Sequence, residues 1–81
     1  MNNESEFELL SACREILKKR VIASGILRDQ AARPLEILDA AELLIEATRL
    51  EQTVWSVLAN NGASERTQRY CLELMAAEYE Q

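Results

Sequence analysis

The pattern of hydrophobic and polar positions repeats at helical spacing along the whole chain, and no stretch alternates with the period of a β-strand. From Phe7 to Val21, apolar residues recur every three or four positions. They follow Asn3 and Glu6, which have the spacing of a capping box. Gly25 belongs to the residue type that most often ends a helix. The first predicted helix therefore covers about residues 4–24, and residues 26–33 form either a loop or a short helical turn.

The longest periodic segment begins at Pro34, which suits the first turn of a helix because its missing N–H would be unpaired there. The segment runs to the strong stop at 60–62, Asn-Asn-Gly, so we predict a long central helix over about residues 34–61. Ser64 is placed to cap a third helix that extends to about residue 80. The sequence thus predicts an all-α protein, a small antiparallel three-helix bundle, with residues 1–81 in a single domain.

The central helix carries apolar side chains over about 260° of its circumference. Such a helix needs cover on two sides, so we expect the first and third helices to flank it. The third helix is shorter, and side chains near Leu38 and Ile45 are expected to lack a partner within the chain. Either the segment 26–33 or a second chain would cover them, and we expect the second chain, in a homodimer. Trp55 is expected to be a core anchor, or otherwise an interface hot spot.

Two charged residues fall among apolar positions. Glu51 lies on the apolar arc of the central helix, and Arg20 lies on that of the first helix. We expect structural ion pairs, because an unpaired buried charge costs several kcal/mol. Arg14 and Arg69 are the candidate partners of Glu51, and Glu36 is the candidate partner of Arg20. The alternative is that Glu51 and Arg20 contact a partner protein.

Composition limits the chemistry that this chain can perform. The 81 residues are 48% hydrophobic and 28% charged, which is not the composition of a disordered tail. Histidine, the commonest general base and transition-metal ligand, is absent. Cys13 and Cys71 fall on apolar faces, where a cysteine usually behaves as a small hydrophobic residue, although a redox role is the alternative. We therefore predict no catalytic residues, no cofactor, no metal site and no enzymatic activity.

The first residues of the chain and the lengths of its apolar runs indicate where in the cell the protein is expected. The first eight residues are acidic, which is the wrong sign for a secretory leader or a transit peptide. Charged residues interrupt every apolar run before it reaches the roughly 18 residues that span a membrane. We expect a cytoplasmic protein without a membrane anchor.

Charge is unevenly distributed along the chain, whose net charge is −5. Basic residues concentrate in the segment 14–33, and acidic residues dominate after it. The basic run scatters around its helix and contains no interleaved aromatic residue for base stacking, so we do not expect nucleic-acid binding. The alternative function is nevertheless a small DNA-associated transcriptional regulator that uses this basic segment 14–33.

The leading hypothesis is a non-enzymatic protein–protein interaction module. A small acidic helical bundle fits an adaptor or an inhibitor, such as a phage-encoded inhibitor, an anti-activator or a secretion chaperone. Its acidic second half would attract a partner protein with a basic surface. The predicted partner-binding residues are Glu36, Asp39, Glu42, Glu46, Glu51 and Arg20.

Overall fold

The fold is an all-α bundle in which three helices follow one another along the chain. A computed structural model describes residues 3–60 and 62–76, apart from the side chain of Asn3. Helix α1 covers Asn3–Arg28, α2 covers Pro34–Asn60 and α3 covers Glu65–Ala76. Helix α2 is antiparallel to α1, since Leu9 lies beside Val54 and Lys19 beside Glu46. Helix α3 is parallel to α1, since Cys13 contacts Cys71 and Arg20 contacts Met75. The predicted three-helix bundle with a long, unbroken second helix is confirmed.

Helix α1 is longer than the sequence predicts, since it continues through Gly25 and ends at Arg28. Ala23 and Ser24 are buried, and this packing outweighs the cost of roughly 1 kcal/mol of a glycine inside a helix. The chain turns only at Asp29, whose side-chain oxygen Oδ1 accepts a hydrogen bond from the Ala31 N–H at 2.9 Å. The prediction that Gly25 ends the helix is wrong. The segment 26–33 is helical up to residue 28 and a turn after it.

The other helix ends follow their local sequence signals. Helix α2 begins at Pro34. Gly62 takes a φ of 59°, in the left-handed region that favours glycine. The Thr67 backbone N–H then donates to the Ser64 hydroxyl at 3.2 Å, which confirms the predicted cap of α3. The capping side chain of Asn3 and the predicted extension of α3 to residue 80 lie outside the described residues.

Helix α1 is the packing centre of the bundle. It packs against both α2 and α3, whereas α2 and α3 contact each other only sparsely. The sequence predicts that α2 is covered on two sides, but in the structure it is α1 that has a helix on each of two sides. The core lies between α1, the inner face of α2 and the inner face of α3. It is built from Leu9, Cys13, Ile16, Ala47, Val54, Leu58, Ala63, Cys71 and Met75.

Sparse cover by α3 leaves large apolar side chains of α2 on the surface of the protomer. Leu38 is 59% exposed and Ile45 is 51% exposed, which confirms that they lack cover within the described chain. Trp55 is 45% exposed, so the prediction of a core anchor is wrong. A helical wheel gives the width of the apolar arc of α2, but it does not show which part of that arc the neighbouring helices cover. The described residues include no helix with the length and apolar character needed to cross a membrane.

Replacing Gly25 with alanine is expected to raise the free energy of unfolding by about 0.5–1 kcal/mol. Gly25 has no left-handed φ, and an added Cβ meets nothing within 4 Å. Urea denaturation followed by circular dichroism measures the change. Gly62→Ala is the control, because its site is equally open but its φ is +59°, and it should destabilise the protein. A loss of stability in Gly25→Ala would contradict the helical assignment of this segment.

Candidate interaction surface

Arg20 and Glu51 form one ion pair at the junction of the three helices. Nη2 of Arg20 lies 2.6 Å from Oε2 of Glu51, and the two side chains are only 16% and 29% exposed. Nη1 of Arg20 donates to the backbone carbonyl oxygen of Met75 in α3 at 3.0 Å. One side chain of α1 therefore binds both α2 and α3.

The expectation of a structural ion pair is confirmed, but the expected partners are wrong. Glu36 does not pair with Arg20, because its Oε1 accepts from the backbone N–H of Arg33 at 3.1 Å and so closes the start of α2. Arg69 lies beside Glu65 on the surface of α3, with Nη2 3.6 Å from Oε1. Arg14 is exposed on α1, about 9 Å along the helix axis from Arg20. The sequence shows that Glu51 needs an arginine but not the register of one helix against the next.

The two thiol groups meet across the interface of α1 and α3. Cys13 and Cys71 are both completely buried and unoxidised, and their side chains are hydrogen-bonded. Burial, the Cys71 thiol and the nearby charge of Glu51 raise the pKa of Cys13 from 9.0 to about 12. The Cys13 thiol stays protonated at neutral pH, and a protonated, buried thiol is a poor nucleophile. The position of both cysteines on apolar faces is confirmed, whereas their mutual contact was not predictable from a separation of 58 positions.

The acidic residues predicted to bind a partner divide into three groups. Asp39, Glu42 and Glu46 are exposed on one face of α2, at i, i+3 and i+7, and we call this the acidic face. Oε2 of Glu46 lies 3.0 Å from Nζ of Lys19, in an exposed ion pair that the sequence did not reveal. Glu36 lies at the start of the helix in its capping contact, and Glu51 with Arg20 lies in the interhelical ion pair.

The basic run of α1 is largely used within the bundle. Lys19 pairs with Glu46, and Arg20 pairs with Glu51. Arg14 and Lys18 are exposed on α1. Pairing with the acids of α2 accounts for two members of this run, and a DNA-associated role of the segment 14–33 stays the alternative hypothesis.

An apolar groove of about 380 Å³ runs between the first half of α1 and the second half of α2, on the side away from α3. Its floor is apolar, and its polar lining consists of Ser5, Glu8 and Thr53. Among residues 3–60 and 62–76, no group of three or more metal-ligating side chains comes together. The groove can accept apolar side chains, but a single carboxylate and two hydroxyls do not form a recognisable catalytic arrangement. Its lining residues are Ser5, Glu8, Leu9, Ala12, Leu50, Thr53, Val54 and Val57.

Comparisons of the chain with protein-family models, with curated proteins and with solved structures found no match.

Arg20→Met and Glu51→Gln are each expected to lower the free energy of unfolding by about 1–3 kcal/mol, because each leaves a partly buried charge without its partner. Urea denaturation of the two single variants and the double variant gives their coupling energy. We expect a coupling of about 1–2 kcal/mol. The exposed pair is the matched control, with Lys19→Met and Glu46→Gln coupled by less than about 1 kcal/mol. Equal coupling in the two pairs would contradict a structural role for the buried pair.

The stability of the protein is expected to fall as the pH rises from 9 toward 12. Because the pKa of Cys13 is about 12 in the folded protein against 9.0 for the free group, the unfolded chain loses its proton first. The contribution of the protonated Cys13 thiol to the free energy of unfolding is complete below pH 9. Above pH 9 this contribution decreases by no more than about 1.4 kcal/mol per pH unit. Urea denaturation at pH 8–11, repeated on Cys13→Ala, isolates this effect. Rapid reaction of the native protein with an aromatic disulfide reagent at pH 8 would contradict the burial of the thiols.

Proposed function

We propose that this protein is a non-enzymatic interaction module that binds another protein through the acidic face of α2. The supporting observation is the exposure of Asp39, Glu42 and Glu46 along one side of an unbroken helix. Carboxylates on a rigid helix keep their spacing, so a complementary basic surface meets them without ordering a flexible segment. A net charge of −5 adds a long-range attraction for such a surface.

The charges of the acidic face are available for new contacts. Among the described residues, neither Asp39 nor Glu42 forms an ion pair. Glu46 is paired with Lys19, but both side chains are partly exposed, and such a pair contributes less than about 1 kcal/mol. A partner arginine can therefore replace Lys19 at small cost.

The partner that best fits this surface is a protein whose own basic face binds nucleic acid. A row of carboxylates on a helix offers that face the negative charge that phosphates otherwise supply. Binding would then block the nucleic-acid site by charge competition, which makes the protein an inhibitor or an anti-activator.

The test uses the double charge reversal Asp39→Lys/Glu46→Lys, which leaves Glu42 intact. Wild-type protein immobilised on beads captures the partner from an extract of the source cells, and the purified partner is then titrated by calorimetry. The reversal is expected to weaken binding at least about tenfold, and added salt should weaken the wild-type complex.

The matched control is Glu15→Lys/Glu73→Lys, which makes the same change in net charge at exposed positions of α1 and α3. Its affinity should stay within about twofold of the wild type, because charges far from the contact act on the partner only through an electrostatic field that salt screens. Equal affinities of the two double variants would contradict a role for the acidic face, and so would the absence of any captured partner.

A further inference from the structure

A second strip of apolar side chains follows α2 on the side that does not face α1. Its positions recur at alternating spacings of three and four, the heptad pattern of a helix that packs along another helix. Leu38, Ile45 and Trp55, its largest members, are all about half exposed. Trp55 borders Leu72 of α3, whereas no described residue of another helix covers Leu38 or Ile45. We call these positions the apolar strip; Leu38, Ala41, Ile45 and Trp55 are apolar, and Thr48 and Gln52 are the polar members between Ile45 and Trp55.

We propose that a second copy of this chain binds antiparallel along the apolar strip, with a twofold axis crossing α2 near residues 46–47. This pairing goes beyond the proposed binding of a basic partner and does not depend on it, because it rests on the apolar strip and shares only Glu42 with the acidic face. About this axis, Leu38 of one protomer faces Trp55 of the other, and Ile45 faces Thr48. The strip spans about 25 Å from residue 38 to residue 55, so both copies bury their exposed apolar side chains together.

The charges along the strip identify the occupant as a second copy. Glu42 and Arg49 are seven residues apart, on the edge of the strip away from α3, and both are exposed. In the antiparallel pairing, Glu42 of each protomer approaches Arg49 of the other, so the edge forms two ion pairs. Parallel pairing would place the two copies of this edge on opposite sides of the interface, so Glu42 and Arg49 would not meet. A twofold rotation brings this edge against the same edge of the second copy, with each acid beside a base, so the edge is self-complementary.

The edge is also a poor match for the basic partner of the acidic face. A uniformly basic surface laid on this edge would meet Arg49 as a like charge, and Arg49 forms no ion pair with another described residue that would neutralise it. A second copy presents Glu42 to Arg49 and has no such conflict.

Sedimentation velocity at about 5–300 µM protein, with circular dichroism to check folding, tests the pairing. We expect a concentration-dependent dimer for the wild type. Leu38→Ser/Ile45→Ser should remain monomeric over this range. The control Ile22→Ser/Leu35→Ser removes exposed apolar side chains outside the strip and should dimerise as the wild type does. A wild type that stays monomeric at all concentrations, or strip and control variants that behave alike, would overturn the proposal.

Charge exchange tests the antiparallel register on exposed residues that the fold does not need. Glu42→Lys and Arg49→Glu should each weaken the dimer about tenfold, because each replaces two attractive contacts with two repulsive ones. The double variant Glu42→Lys/Arg49→Glu should return to wild-type strength. Failure of the double variant to recover would overturn the antiparallel pairing. Asp39→Lys/Glu46→Lys should dimerise normally, so a failure of partner binding is distinguishable from a failure of self-association.

Discussion

The bundle depends on the guanidinium group of Arg20, which joins all three helices at one point. It pairs with the Glu51 carboxylate in α2 and donates to the Met75 carbonyl in α3. This contact matters most for α3, because the described part of α3 buries only Thr67, Cys71 and Met75, and a short helix without packing is marginal in water. The unusual acid on the apolar arc of α2 is therefore the counterion that allows Arg20 to reach α3 without leaving a partly buried charge unpaired.

A small chain with one packing centre leaves the second helix with three different faces, about 120° apart. The inner face packs on α1 through Ala47 and Val54. The acidic face carries exposed carboxylates, and the apolar strip carries Leu38 and Ile45. In a chain of 81 residues the surface is large relative to the core, so complete cover of so apolar a helix is not expected. The two outer faces differ in chemistry and so suit different occupants, a basic protein and a second copy of the chain.

Features set by local chemistry were predictable from the sequence, and features set by the meeting of helices were not. Pro34 and Ser64 act through their own backbone neighbourhoods, and both predictions are confirmed. The prediction that Gly25 ends the first helix was wrong. The neighbouring residues Ala23 and Ser24 are buried by contacts with other parts of the chain, and the pattern of one helix does not reveal such contacts. The partner of Glu51 depended on interhelical register, and the exposure of Trp55 depended on which helix takes the centre. Periodicity gives the width of an apolar face but not the identity of the helix that covers it.

The role of Arg20 is tested most directly by amide hydrogen exchange in Arg20→Met, compared with the wild type under native conditions. If Arg20 holds α3 against the hairpin of α1 and α2, the amides of α3 from residue 69 to residue 76 will lose protection selectively. The amides in the packed middle of α1 and α2 will then retain protection closer to that of global unfolding. Unchanged protection of α3, or an equal loss in all three helices, would contradict the central role of this one side chain.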